Sequence, residues 1–193
     1  MNQALLRTNR DRAFTLIEVL VSVSIFALVM LVATGSVFSI VQANKKTHTL
    51  KSVMTNLNYA LEAMTRDIRV GFKYTCDGSG DCSTNPGTRL TFKANRDIDG
   101  DGSYDATNLN DQIEYTLTSG KITKSILGTN SSTWNVTADE ITIQSLKFYV
   151  IGTGTTDGKQ PKVVITLQGY AGIGNTRSEF NIQTTISQRA IDA

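Results

Sequence analysis

Glu18 is the residue whose placement asks most for a chemical explanation. It opens a run that stays uncharged until Lys45. Such a run exceeds the roughly 20 residues needed to span a bilayer. A carboxylate inside it is costly without a cationic partner and reads as functional by default. A second group of oxygen-bearing residues lies at Asp97-Ile-Asp99-Gly-Asp101-Gly102-Ser103-Tyr-Asp105. Oxygens at positions 1, 3, 5, 7 and 9, with Gly at 6, fit a calcium loop. Asp97, Asp99 and Asp101 would offer carboxylates, Ser103 its carbonyl, and Asp105 a direct or water-mediated contact. The twelfth position is Asn108 instead of a bidentate Glu, with Asp111 and Glu114 nearby as substitutes. The competing reading is a solvated acidic turn, because Asp-Gly pairs are also plain turn formers. Four carboxylates in nine residues repel one another without a cation, which favours a structural calcium ion.

Catalysis finds little support. His48 is the only histidine, and no Ser-His-Asp set builds around it. Gly152–Lys159 resembles a phosphate loop only superficially: Thr153 stands where the first Gly is required, and Gln160 replaces Ser or Thr. A hairpin turn accounts for it better. Cys76 and Cys82 flank a Gly-containing loop. In an exported domain a disulfide is the natural reading; two free thiols are the alternative, and a metal site would need more ligands.

These groups need elements to position them. Arg7, Arg10 and Arg12 precede the apolar run and place the amino terminus on the cytoplasmic side. Without residues 1–13 the chain carries 16 basic and 16 acidic residues. The net charge of +2 is therefore a topology signal, and no basic cluster with interleaved aromatics suggests nucleic-acid binding. After Lys46, apolar residues at Leu50, Val53, Met54, Leu57, Leu61, Met64 and Ile68 mark one stripe of a helix that stops at Gly71. A continuous helix from Phe14 to Val70 would run about 85 Å, its first half in lipid or among other helices and its second half on a globular domain. Alternation then takes over: Thr88–Ala94, Ile113–Leu117 turning at Ser119-Gly120 into Lys121–Leu127, Ile141–Ile151 with a bulge near Ser145, Val163–Leu167 and Phe180–Ile186. Turns carry Asp157-Gly158 and Gly172-Ile-Gly174. The fold class is α+β, a long helix laid against an antiparallel sheet. Trp134 either fills the core edge, the favoured reading, or is an exposed contact residue.

Ala13-Phe14-Thr15-Leu16-Ile17-Glu18-Val19-Leu20 resembles the processing site of type IV prepilins and type II secretion pseudopilins. The resemblance implies cleavage by a prepilin peptidase between Ala13 and Phe14, N-methylation of Phe14, and pairing of Glu18 with the terminal amine of a neighbouring subunit. A buried carboxylate and a buried ammonium are each expensive alone and tolerable together. The family usually has Gly before the cut; Ala13 is still a small residue. An ordinary secretory signal has a shorter apolar core and a small-residue cleavage site after it, and a plain anchor does not account for Glu18.

Leu61–Arg69 and Thr184–Arg189 are similar to the helix end and final strand of J-type minor pseudopilins and W-type minor pilins. The expected organisation is a cleaved leader (1–13), a transmembrane and assembly helix (14–43) and a periplasmic or extracellular pilin-like domain (44–193). The chain would be a single-pass protein of the bacterial inner membrane and no enzyme. It would help initiate or cap a type IV pilus or pseudopilus, with other pilin subunits as partners. The alternative is a membrane-anchored, calcium-dependent binding module that uses the acidic loop or the Trp134 region.

Overall fold

A computed structural model of the chain describes residues 14–104, 110–154, 158–172 and 177–189. Helix α1 spans Leu16–Val70, and the chain divides into two compact units between Asn44 and Lys45.

In the first unit, every described residue is exposed. The helix there is long and apolar enough to cross a membrane. Four of its hydroxyls bond back within the helix. Ser22, Ser24, Thr34 and Ser36 donate to the carbonyls of Glu18, Leu20, Met30 and Val32, at 2.7–3.1 Å. Such back-bonding lets Ser and Thr lie in an apolar medium without orphaned donors.

In the second unit, α1 buries Val53, Leu57, Ala60, Met64 and Ile68. These steps of three and four put one stripe on the core. Leu61 is partly buried, whereas Met54 is exposed and Ala60 takes the inward position. The helix ends where predicted: the Gly71 amide donates to the Asp67 carbonyl at 3.1 Å.

The strands form two antiparallel sheets, where the sequence suggested one. The first holds β1 (Phe72–Cys76), β2 (Arg89–Lys93), β3 (Gln112–Thr118), β4 (Lys121–Leu127) and β5 (Ser132–Asn135) in chain order. The second holds β6 (Ile141–Ile151), β7 (Lys162–Ala171) and β8 (Ser178–Ser187). The β3–β4 hairpin turns at Ser119 and Gly120, both with positive φ (51° and 76°). That geometry matches the twist of the flanking strands. The register of β6 on β7 shifts between Ile143 and Ser145, so the bulge falls where the broken alternation placed it.

The sheets are sewn together by main-chain bonds. Gly87 and Phe148 exchange N–H···O bonds at 2.9 Å, Cys82 N–H reaches Val150 O at 2.9 Å, and Ile143 N–H reaches Gly120 O at 2.8 Å. Between them lies one core, with Leu90, Phe92, Tyr115, Ile122, Leu146, Phe148 and Ile165 almost wholly excluded from solvent. Tyr74, Phe92 and Tyr115 run through it as an aromatic row, with centroids 5.7 and 6.2 Å apart.

Trp134 does not fill the core edge. It is 43% exposed on β5, whose four residues all face solvent. Lys124 Nζ lies 5.4 Å from its ring centroid, so the indole rests on a cation instead of on the core.

Candidate functional site

The amino-terminal site begins with a helix cap. Thr15 precedes the first helical residue, and its Oγ1 accepts the Glu18 N–H at 3.3 Å. Thr15-x-x-Glu18 has the capping-box spacing, and the acidic residue sits in the first turn, where the helix dipole favours it. Thr15 is the site residue that reading for charge alone overlooked; the Thr-to-Glu spacing was the available signal. The Glu18 carboxylate has no partner among the described residues. Phe14 is 78% exposed beside it, and the apolar face continues through Val41. Ala13, the residue before the expected cut, lies outside the described residues.

The acidic loop is built by its own main chain. The Asp97 carboxylate accepts the Gly100 and Gly102 amides at 2.8 and 2.9 Å. Asp99 accepts the Asp101 amide at 3.2 Å and the Thr129 amide at 2.8 Å. Asp101 accepts the Ser103 amide and the Thr129 hydroxyl, both at 2.8 Å. Asp111, fully buried, accepts the Ile98 amide at 2.8 Å. Among the described residues, the carboxylates that converge are Asp97, Asp99 and Asp111, each with an oxygen within 4.8 Å of the others. Asp111 joins from the start of β3, while Asp105 and Asn108 lie outside the described residues. Burial pushes the Asp99 carboxyl up, but the amides of Asp101, Asn130 and Thr129 outweigh it and hold the group below its ordinary range. Gly128 is required beside it, because a Cβ there would stand 2.2 Å from Asp99 Oδ2.

Cys76 and Cys82 are disulfide-bonded. The closed loop does more than pin itself. Asp77 accepts the Thr88 and Arg89 amides at 3.0 and 2.9 Å. Asp81 accepts the Gly152 and Thr153 amides at 3.0 and 2.8 Å and the Thr153 hydroxyl at 2.8 Å. One carboxylate therefore ties the loop to β2 and the other ties it to the end of β6.

A single apolar helix leading into a domain where that helix packs on antiparallel sheets is a pilin-like arrangement. The prokaryotic N-terminal methylation motif matches residues 8–34, which hold Phe14, Thr15 and Glu18. The motif and the fold together support a type IV prepilin-like protein. Its motif implies assembly with other pilin-type subunits at the membrane. No curated protein and no solved structure matches the chain.

Proposed function

We propose that the chain is a minor pilin or pseudopilin, a structural subunit that helps initiate or cap a type IV pilus or a type II secretion pseudopilus. The observation that carries this is the Glu18 carboxylate, without a partner among the described residues, on an apolar helix whose Ser22 and Ser24 hydroxyls bond back to its own carbonyls. A carboxylate in lipid needs a cation, and the terminal amine freed by cleavage before Phe14 on a neighbouring subunit would supply one. On this reading a prepilin peptidase cuts between Ala13 and Phe14, the new amine is methylated, and residues 44–193 form a periplasmic or extracellular domain. The minor role draws support from Leu61–Arg69 and Thr184–Arg189. The two segments that resemble minor subunits meet in the fold, where Arg189 N–H donates to Arg69 O at 2.8 Å.

Glu18→Ala tests the assembly role. The variant should accumulate in the membrane, fold normally and fail to enter filaments; normal incorporation would reject it. Mass spectrometry of the mature chain tests processing: a mass beginning at Phe14 plus one methyl group is expected, and an intact leader would reject it.

A structural calcium ion belongs to the same proposal. Three oxygens within 4.8 Å of one another suit a cation with ligands at about 2.3–2.6 Å. Each carboxylate keeps lone pairs beyond those its amide donors use. Asp97, Asp99 and Asp111 would hold the ion, which would fix the β2–β3 connection. Calcium should raise the Tm of the protein and a chelator should lower it; an unchanged Tm would remove the ion.

A further inference from the structure

Beside the second half of α1 runs a cleft that the Glu18 contact does not use and that borders the acidic loop at Asp97. Its larger part, about 610 Å³, lies between the helix end, the segment after β2, and strands β3 and β4. A smaller part of about 350 Å³ continues along the helix to Tyr59. Arg66, Asp67 and Lys124 line both parts, so the two are continuous. Val70, Ala94, Ile98, Ile113 and Ile126 supply an aliphatic lining in the larger part.

The charges around this lining are uneven. Asp67 is already neutralised, by Lys124 Nζ at 2.5 Å and the Tyr115 hydroxyl at 2.6 Å. Asp97 keeps its charge but points its oxygens at the Gly100 and Gly102 amides of its own loop. Among the described residues Arg66 is held only by Glu62, at 3.3 Å in an exposed pair one helical turn away, a contact that exchanges readily. Arg96 is exposed on the rim and has no partner among the described residues. The cleft thus offers two available guanidiniums over aliphatic side chains. From Tyr59 to Val70 the helix rises about 16 Å, the reach of about five residues of extended chain.

We infer that this cleft is a docking groove for an extended acidic peptide segment of a partner protein, with aliphatic side chains on the lining and carboxylates on Arg66 and Arg96. Guanidinium forks match carboxylates bidentately. A nucleic acid fits less well, because among the described residues no aromatic ring lines the larger part for a base to stack on. The groove lies wholly within the second unit, so its test does not depend on Glu18.

The experiment uses the full chain in detergent micelles and the fluorescein-labelled peptide Glu-Leu-Asp-Leu-Glu, read by anisotropy at low salt. Binding should weaken as salt rises. The peptide Lys-Leu-Lys-Leu-Lys should bind at least about tenfold more weakly. Arg96→Glu and Arg66→Glu, both surface changes, should each lower affinity about tenfold while the far-UV spectrum and Tm hold. Arg177→Glu, away from the cleft, should leave affinity unchanged. Trp134 is the only tryptophan and packs on Lys124, so its emission should shift on binding. Equal affinity for the two peptides, unchanged affinity in both variants, or stronger binding of oligothymidine than of the acidic peptide would overturn the inference.

Discussion

Asp67 on α1 and Lys124 on β4 form an ion pair at 2.5 Å, with both side chains less than one-fifth exposed. The same carboxylate accepts the Tyr115 hydroxyl at 2.6 Å. Burial, the Asp67 charge and this hydrogen bond together push the Tyr115 hydroxyl far above its ordinary range, so it stays a donor at any working pH. One helical carboxylate therefore fastens the helix to both strands of the central hairpin. Replacing it strands the Tyr115 donor in the core. Asp67→Ala should cost about 1–3 kcal/mol, with a Tm drop of roughly 2–4 °C per kcal/mol. Tyr115→Phe removes donor and desolvation cost together and should cost less. An Asp67→Ala variant as stable as the parent would show that the pair contributes nothing.

The disulfide loop makes a second prediction. Opening the bond between Cys76 and Cys82 releases a short loop, worth about 2 kcal/mol on the chain-entropy model. The loop also carries the Cys82 amide bonded to Val150 and the Asp81 contacts to Gly152 and Thr153. Cys76→Ser/Cys82→Ser should therefore lower Tm and speed amide exchange at Cys82→Ser's neighbours in β6 more than in β3. Uniform acceleration across both strands would mean that the loop does not specifically hold the second sheet.

Asp81 gives stability a pH dependence. Burial raises its pKa, yet the Thr153 and Gly152 amides, the Thr153 hydroxyl and the Lys159 charge outweigh that and set it below 3.8. A carboxylate with a depressed folded pKa stabilises the fold above the unfolded value, and that contribution is lost as pH falls through the folded one. Asp81→Asn should thus melt below the parent at pH 7, and the difference should shrink as pH drops through 3.8 and below. A gap that stays constant across that range would assign the effect to packing instead of charge.

Much of this was legible because it rests on short-range rules. The methylation motif is a local string, and the stripe from Val53 to Ile68 follows helical periodicity. Ser119-Gly120 announced its turn by residue type, and the broken alternation at Ser145 announced its bulge. What escaped depends on partners distant in sequence. β1 has a register shift between Phe72 and Thr75, with Lys73 at φ 52°, so no clean alternation marks it. β5 is four exposed residues paired to β4, and nothing in its composition shows that it lies at an edge. That is also why Trp134 looked like a core residue: size argues for burial, but only the strand order shows that no layer covers it. In the acidic loop, spacing offered Asp97, Asp99, Asp101, Ser103 and Asp105, with Asp111 or Glu114 as a nearby substitute; that Asp111, and not Asp101, converges with Asp97 and Asp99 follows from the β2–β3 pairing that brings it back.

Gly169 supplies the sharpest steric prediction. It sits on β7 opposite Ile143, where β6 bulges. A Cβ there would meet the Thr142 carbonyl oxygen at 2.5 Å and the Phe180 ring at 2.9 Å. The first obstacle is backbone in a paired strand, which cannot swing aside as a flexible side chain does. Overpacking of this kind costs about 1–3 kcal/mol. Gly35, in the interior of α1, is the internal contrast: a Cβ there meets nothing within 4 Å, and Ala is favoured over Gly in a helix interior by up to about 1 kcal/mol. Gly169→Ala should therefore lower the Tm of the domain by several degrees, while Gly35→Ala leaves it unchanged. If the two variants melt together, the β6 bulge has room to relax and the close approach at Gly169 does not constrain the second sheet.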